Sequence, residues 1–182
     1  IIARHQEFYY RSPSNAKLVN IAIKLVRYAT ELAKPNEKRY EEFRDSNLDS
    51  LKFRLLSPAP IYLDIEEMML KNSLNLALEK LGKEDEFVKF ALADIDPATL
   101  ANSLITKTKL QDISLRKELL AGGIDAIKKS KEPLIQWALK IDPILRKDRD
   151  WYDDEIESVQ AIEGNKLAEL KFKVFGKSTY PD

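Results

Sequence analysis

The chain holds a single histidine, His5, and any Ser-His-Asp or Cys-His arrangement built from these residues has to use it. Such a triad needs the imidazole within hydrogen-bond reach of both a nucleophile and an orienting carboxylate. His5 lies in the stretch RHQEF at the beginning of the chain, far from any pocket that the sequence indicates. Cysteine is absent, which excludes a thiol nucleophile and thiolate metal sites. We therefore interpret His5 as a surface histidine and predict no catalytic residue in this chain.

Carboxylates are the remaining candidates for metal binding, because hard cations prefer oxygen ligands. Four carboxylates recur at helical spacing and would share one helix face: Asp150, Asp153, Asp154 and Glu157. The segment lacks the glycine-turned loop of a calcium motif, and three basic neighbours would neutralise part of its charge: Arg146, Lys147 and Arg149. A solvated acidic face is the better interpretation. We predict neither a metal site nor a cofactor site.

The tripeptide GKS at residues 176–178 is typical of the end of a phosphate-binding loop. The full pattern requires an earlier glycine at the position that Lys171 occupies. It also requires a helix after the loop, where Tyr180-Pro181 stands instead. We therefore reject a phosphate site.

The composition is typical of a folded domain without a nucleic-acid partner. The chain has 182 residues, and its 30 basic and 30 acidic residues give a net charge of zero, whereas nucleic-acid and anionic-membrane binders need a basic excess. The short run Lys128, Lys129 and Lys131 is explained by a solvated helix end. No apolar run approaches the roughly 20 residues of a membrane span. The chain begins at Ile1 and not at Met, so we expect it to be part of a longer protein.

Helical periodicity dominates the elements. Glycine is scarce, and the leucines and alanines of Ala16–Ala33 recur in steps of three and four, which predicts a helix with one buried stripe. Further helices are predicted to begin at Asn36, Tyr62, Glu84, Asp96, Asp112, Pro133 and Asp142, and a short segment at Leu48 follows the helix that begins at Asn36. The predicted fold class is all-α, an irregular bundle of about eight helices with a long C-terminal helix after Asp142-Pro143.

Glycines set several of the expected helix ends. Gly82 closes the helix that begins at Tyr62, at a position that favours a left-handed residue. Gly122-Gly123 stops the helix that follows Asp112, and Gly164 is expected to weaken the long C-terminal helix. Met68-Met69 are interpreted as ordinary core residues.

Five stretches, taken together and in chain order, resemble a known family. They are LVRYATELAKPNEKRYEEFRDSNLDSL, LLSPAPIYLDIE, TKLQDISLRKELLAGG, PLIQWALKIDPILRKDRDWYDDEIE and VFGKSTYPD. In this order they are similar to the α-helical domain of the bacterial serine dipeptidyl-peptidases, the group that includes dipeptidyl peptidases seven and eleven. The resemblance covers nearly the whole chain, from about Leu25 onward.

The resemblance implies a fragment of a larger peptidase with a chymotrypsin-like double β-barrel. In that family an inserted helical domain covers the cleft, and the enzyme removes dipeptides from the N-termini of peptides. The implied division is residues 1–175 for a helical domain that is incomplete at its N-terminal side and residues 176–182 for a connector toward the barrel. The implied partners are the barrel of the same parent chain and, indirectly, the peptide substrate. The implied location is the bacterial periplasm or cell surface.

The family's functional residues do not carry over to this sequence. Its catalytic His and Asp precede the helical domain and its Ser follows it, so none of the three maps here. The family's Asn that holds the substrate amino group has no match either, and neither Asn15 nor Asn36 is assigned that role. Lys107 and Glu86 stand where the family pattern has Gly and Pro, both at expected helix junctions. The missing first part of the helical domain is expected to leave an apolar face of the bundle uncovered.

Three functions remain open from the sequence. The leading hypothesis is a non-catalytic helical lid of a serine dipeptidyl-peptidase, which controls substrate access and is inactive by itself. The alternative is a free-standing helical protein-interaction module, which the balanced charge suits. A complete enzyme within these residues is the weakest hypothesis, because the chain offers no convergent set of catalytic groups.

Overall fold

The computed structural model describes residues 2–12 and 16–176, which fall into two units, Ile1–Leu145 and Arg146–Asp182. The α-helices of the described residues are α1 Ile2–Arg11, α2 Lys17–Leu32, α3 Leu48–Leu55, α4 Leu63–Leu81, α5 Glu86–Leu92, α6 Pro97–Lys107, α7 Ile113–Lys129, α8 Pro133–Tyr152 and α9 Ser158–Phe175. No strand occurs in that part of the chain, so the predicted all-α class is confirmed. Helices α1–α7 and the first part of α8 form the first unit, in agreement with the expected bundle of about eight helices.

Helix α2 is enclosed by the rest of the first unit. Besides the predicted stripe, which includes Leu18 and Leu25, its other faces bury residues such as Ile23 and Val26. The helix contacts α7, α4 and α3. The prediction of a single buried stripe is therefore wrong, because a helix that is apolar on several faces becomes covered on each of them.

The chain between α2 and α3 does not form the α-helix predicted after Asn36. It forms three 3₁₀ turns, Asn36–Lys38, Glu41–Phe43 and Asp45–Asn47. Asn36 caps no α-helix, since its Oδ1 accepts a hydrogen bond from the N–H of Asp45 at 2.8 Å. The buried carboxylate of Glu31 accepts the N–H of Tyr40 at 3.0 Å. Backbone bonds of the 3₁₀ turns, together with side-chain oxygens that accept backbone N–H groups, thus take the place of the regular α-helical ladder in this segment.

Several predicted helix ends are confirmed. The carboxylate of Asp96 accepts the N–H of Thr99 at 3.0 Å, with Pro97 in the first turn of α6. The carboxylate of Asp112 accepts the N–H of Ser114 at 2.7 Å at the beginning of α7. The two departures from the family pattern, Lys107 and Glu86, are the last residue of α6 and the first residue of α5. Both therefore lie at helix junctions, as expected.

Two glycines have backbone conformations with positive φ. Gly82 follows α4 with φ of 80°, and Gly123 kinks α7 with φ of 57° and ψ of −146°. These conformations strain any residue that carries a Cβ. The predicted interruption at Gly122-Gly123 is confirmed as a kink between two helical parts.

Helix α8 continues through Asp142-Pro143, where the sequence predicted a new helix to begin. Proline inside a helix removes a backbone hydrogen bond and costs about 3 kcal/mol. Buried residues on both sides of Pro143, including Ile141 and Ile144, keep the helix in place through packing. Asp142 is not a cap, because its buried carboxylate accepts a hydrogen bond from Arg27 Nε at 2.6 Å. The predicted helix start is wrong.

Buried polar side chains join the helices of the first unit. The carboxylate of Glu132 accepts hydrogen bonds from Thr108 Oγ1 and, at 2.9 Å, from the N–H of Ile135, which connects the end of α6 to the beginning of α8. The indole N–H of Trp137 on α8 donates to the carbonyl of Ala91 on α5 at 2.9 Å. Each of these bonds satisfies a buried group that would otherwise destabilise the fold.

The second unit is helical to Phe175 and contains one irregular segment. Residues Asp153–Glu157 form a π-helical turn, in which Ser158 Oγ donates to the carbonyl of Asp153 at 2.6 Å. Gly164, where a weakness was predicted, lies inside α9 without a break. The predicted long C-terminal helix is confirmed, and its irregularity falls at the π turn. Of the predicted connector, residues 176–182, all but Gly176 lies outside the described residues, as does the part of the GKS tripeptide that follows Gly176.

Candidate functional site

The residues considered for catalysis or metal binding form no such site among the described residues. His5 lies exposed on α1. Asp150 lies in the last turn of α8, whereas Asp153, Asp154 and Glu157 belong to the π turn, where Arg149 Nε is 3.3 Å from Asp153 Oδ2. Within residues 2–12 and 16–176, no three carboxylate or histidine side chains are placed to hold one metal ion.

The basic run at the end of α7 has the predicted character. Lys128, Lys129 and Lys131 are all exposed, as expected for a solvated helix end.

No helix in the described part of the chain has both the length and the apolar character needed to cross a membrane.

Helix α4 carries several exposed apolar side chains. Three large apolar side chains on its outer side are 37–52% exposed, and Tyr62, which directly precedes the helix, is 62% exposed; we name these four the outer α4 stripe: Tyr62, Ile65, Met68 and Leu76. At about 100° of rotation per residue the three that belong to α4 fall within an arc of roughly 80° on the helix. Met68, predicted to be core, is 52% exposed, so that prediction is wrong.

The opposite side of α4 is its core face. Glu66, Leu70, Leu74 and Ala77 are buried, and they lie on an arc whose centre is rotated roughly 160° from that of the stripe residues within α4. Through its packing the helix contacts α6, α1, α5 and α2. A helix that is apolar on two faces is expected to be covered on both. Helix α4 therefore has one face packed within this unit and a second face available for another surface.

Glu66 fixes the position of α4 against α2. Its Oε1 accepts the N–H of Lys17 at 3.0 Å, and its Oε2 accepts the N–H of Leu18 at 2.6 Å. Ala16, which precedes α2, has no side-chain oxygen to cap it. A carboxylate at a helix N-terminus satisfies free N–H groups and complements the helix dipole. Because Ile65 directly precedes Glu66, this bond also sets the direction of the outer α4 stripe.

The segment that leads into α4 is held from two sides. Arg116 on α7 is buried, and its Nη1 donates to the carbonyl of Leu55, the last residue of α3, at 2.6 Å and to the carbonyl of Ser57 in the link at 3.3 Å. Burial lowers the pKa of the Arg116 guanidinium from its usual range. Lys17 Nζ donates to the carbonyl of Ala59 at 3.0 Å. The proline-containing link between α3 and α4 is thus anchored to both α7 and α2.

A cleft of about 340 Å³ opens where α4, α5 and α6 meet. Its lining residues are Leu78, Lys83, Val88, Lys89, Leu92, Asp94, Ile95, Asp96 and Pro97. Ala93 and Asp94 have φ of 47° and 63°, and these two left-handed residues turn the chain from α5 toward α6. The cleft therefore combines an apolar floor with charged groups from two helix junctions.

The sequence predicted an uncovered apolar face of the bundle but did not place it on α4, and it gave no prediction of the cleft. A signal for the stripe existed: the apolar residues of α4 fall on two arcs of the helix, and a helix that serves only one core needs one. The cleft had no comparable signal, because it depends on how the junctions after α4 and α5 approach each other.

Comparisons with known proteins agree with the sequence resemblance. The profile of the family described as Peptidase S46 matches residues 2–182. A search among curated proteins finds no match. The family is that of dipeptidyl peptidases seven and eleven, which is the resemblance carried by the five stretches. An all-α chain matched by this profile over residues 2–182 belongs to the Peptidase S46 family of serine dipeptidyl-peptidases.

Proposed function

We propose that this chain is the non-catalytic helical lid of a serine dipeptidyl-peptidase, and that the outer α4 stripe is the surface with which it covers the protease barrel of the same parent chain. The observation that carries the proposal is the exposed apolar stripe on a helix of a chain that belongs to this peptidase family. Exposed apolar patches on an otherwise charged surface commonly mark an interface.

Under the proposal, catalysis belongs to residues of the parent outside this chain. A Ser-His-Asp triad places a histidine between serine and aspartate. The one histidine of this chain, His5, lies exposed on α1. Under the proposal the parent acts in the bacterial periplasm or at the cell surface, which follows from the family alone.

The lid would act through geometry. Buried bonds between the helices, such as those of Glu66 and Glu132, would let the bundle move as one body. Such a body over a cleft admits short or unfolded peptides, excludes water and holds the substrate near the catalytic groups. The hinge would lie in the connections to the barrel.

The test is a charge placed on the stripe of the parent enzyme. In the double variant Ile65→Glu and Met68→Glu, two half-exposed apolar side chains become carboxylates, with little effect on the folded bundle. Losing the apolar contact of both is expected to weaken docking by about 2–3 kcal/mol, a factor of roughly 30–150. We expect kcat/KM for dipeptide release to fall at least about tenfold.

The control places the same charges on apolar side chains outside α4. Phe53 on α3 and Phe90 on α5 are 81% and 52% exposed, so Phe53→Glu with Phe90→Glu likewise replaces two apolar side chains by carboxylates, at positions that are at least as exposed as those of the test variant. Labelling of the parent's catalytic serine by a fluorophosphonate should be equal in all three proteins, because the barrel is unchanged. A stripe variant with the same kcat/KM as the control would overturn the proposal.

A further inference from the structure

The cleft between α4, α5 and α6 has the size and lining of a small-ligand site. Its volume of about 340 Å³ lies at the lower end of the range for ligand pockets, which is roughly 300–1,000 Å³. The floor is apolar: Leu92 and Val88 are buried, and Pro97 and Leu78 contribute further carbon surface. The outer α4 stripe is not part of the lining.

The charged residues of the cleft divide into two that are engaged and two that are not. Lys89 Nζ is paired with Glu84 Oε2 at 2.7 Å, and the carboxylate of Asp96 caps α6. In the described part of the chain, the side chains of Lys83 and Asp94 form no hydrogen bond or ion pair. One cation and one anion without a side-chain partner among the described residues therefore line the cleft beside its apolar floor.

We propose that this cleft binds short zwitterionic peptides with an apolar side chain, such as the dipeptides that the parent enzyme would release. Asp94 would attract the ammonium group, Lys83 the carboxylate, and the floor would cover the side chain. The choice of a dipeptide rests on the proposed function, whereas the preference for an apolar zwitterion rests on the lining of the cleft. Such a site would retain product on the lid, apart from the barrel.

The experiment is a titration of the isotope-labelled 182-residue chain with the dipeptide Leu-Leu, followed by backbone amide shifts. We expect saturable shifts at residues 83–97 with a Kd on the order of 1 mM, as suits a small ligand held by two solvent-facing charges. N-acetyl-Leu-Leu-amide has the same side chains without the terminal charges, and we expect it to bind at least about fivefold more weakly.

Two variants test the assigned charges. Asp94→Asn and Lys83→Met each preserve side-chain size, and each should weaken Leu-Leu binding about two- to fivefold. The proposal is overturned if Leu-Leu shifts no amide of residues 83–97 at about 20 mM, or if the capped peptide binds as well as the free one. Neither result depends on the variants of the outer α4 stripe, so failure of the cleft as a binding site and failure of the lid proposal are distinguishable.

Discussion

The carboxylate of Glu66 offers a sharp test of how the first unit holds α4 in place. Glu66→Gln keeps the size of the side chain but removes its charge and replaces one carboxylate oxygen by an NH₂ group. Both oxygens are in use at 3.0 and 2.6 Å from the N–H donors of Lys17 and Leu18, and the side chain is buried. In the variant one of these N–H groups faces another donor.

The size of the effect follows from two terms. A buried N–H left without an acceptor costs about 1–3 kcal/mol. Loss of a negative charge at a helix N-terminus costs about 0.3–2 kcal/mol, and the burial of Glu66 favours the upper part of that range. We therefore expect the free energy of unfolding to fall by about 2–4 kcal/mol. For a chain of this size, Tm should fall by about 5–15 °C.

Urea unfolding followed by circular dichroism measures this difference, and the neighbouring residue supplies the control. Glu67 accepts an exposed hydrogen bond from Asn102 Nδ2 at 3.1 Å. Glu67→Gln should change stability by no more than about 0.5 kcal/mol. If Glu66→Gln costs less than about 1 kcal/mol, with an unchanged dependence on urea, the cross-helix cap does not hold α2 and α4 together and the reasoning fails.

Two further predictions concern a helix cap and two glycines. The N–H of Thr99 donates to Asp96 and lowers the pKa of that carboxyl, so the cap stabilises the fold above the unfolded pKa of about 3.9 and is lost as the pH falls through the lower folded value. The Tm difference between the wild type and Asp96→Ala should therefore shrink from pH 7 to pH 2, and an equal difference at both would contradict it. Gly123→Ala should destabilise by about 1–3 kcal/mol because of its positive φ, whereas Gly164→Ala, in an exposed helix with open space around it, should stabilise by up to about 1 kcal/mol. Chemical unfolding measures both, and shifts of the same sign would count against the backbone argument.

Local chemistry explains which parts of the fold could be predicted from the sequence. The carboxylates of Asp96 and Asp112 accept N–H groups within three residues along the chain. The neighbouring sequence is therefore sufficient to predict these helix caps. Gly82 and Gly123 likewise supply a positive φ within their own turns. The family could be predicted because it rests on five ordered stretches and needs no contact between them.

The wrong helix predictions concern residues whose hydrogen-bond partner lies outside their own turn of the chain. Asn36 has good capping chemistry, but its oxygen accepts a bond from Asp45, and no helix follows it. Asp142-Pro143 has the local pattern of a helix start, yet Arg27 binds the carboxylate across 115 positions and packing carries α8 onward. A single-sequence pattern cannot weigh such contacts, because it has no information on which helices approach each other.

Helix α4 shows why scaffold and surface have to be tested separately. Ile65 and Glu66 are adjacent, yet one side chain is 46% exposed and the other 5%. Glu66→Gln acts on the bundle and lowers its stability, whereas Ile65→Glu changes a side chain that the bundle leaves half in water and should barely affect unfolding. If the lid proposal holds, the second change still weakens peptide turnover in the parent, because what it removes is an apolar contact with the barrel. A loss of turnover without a loss of stability is thus the signature of an interface, and the reverse pattern would leave the outer α4 stripe without a role in the enzyme.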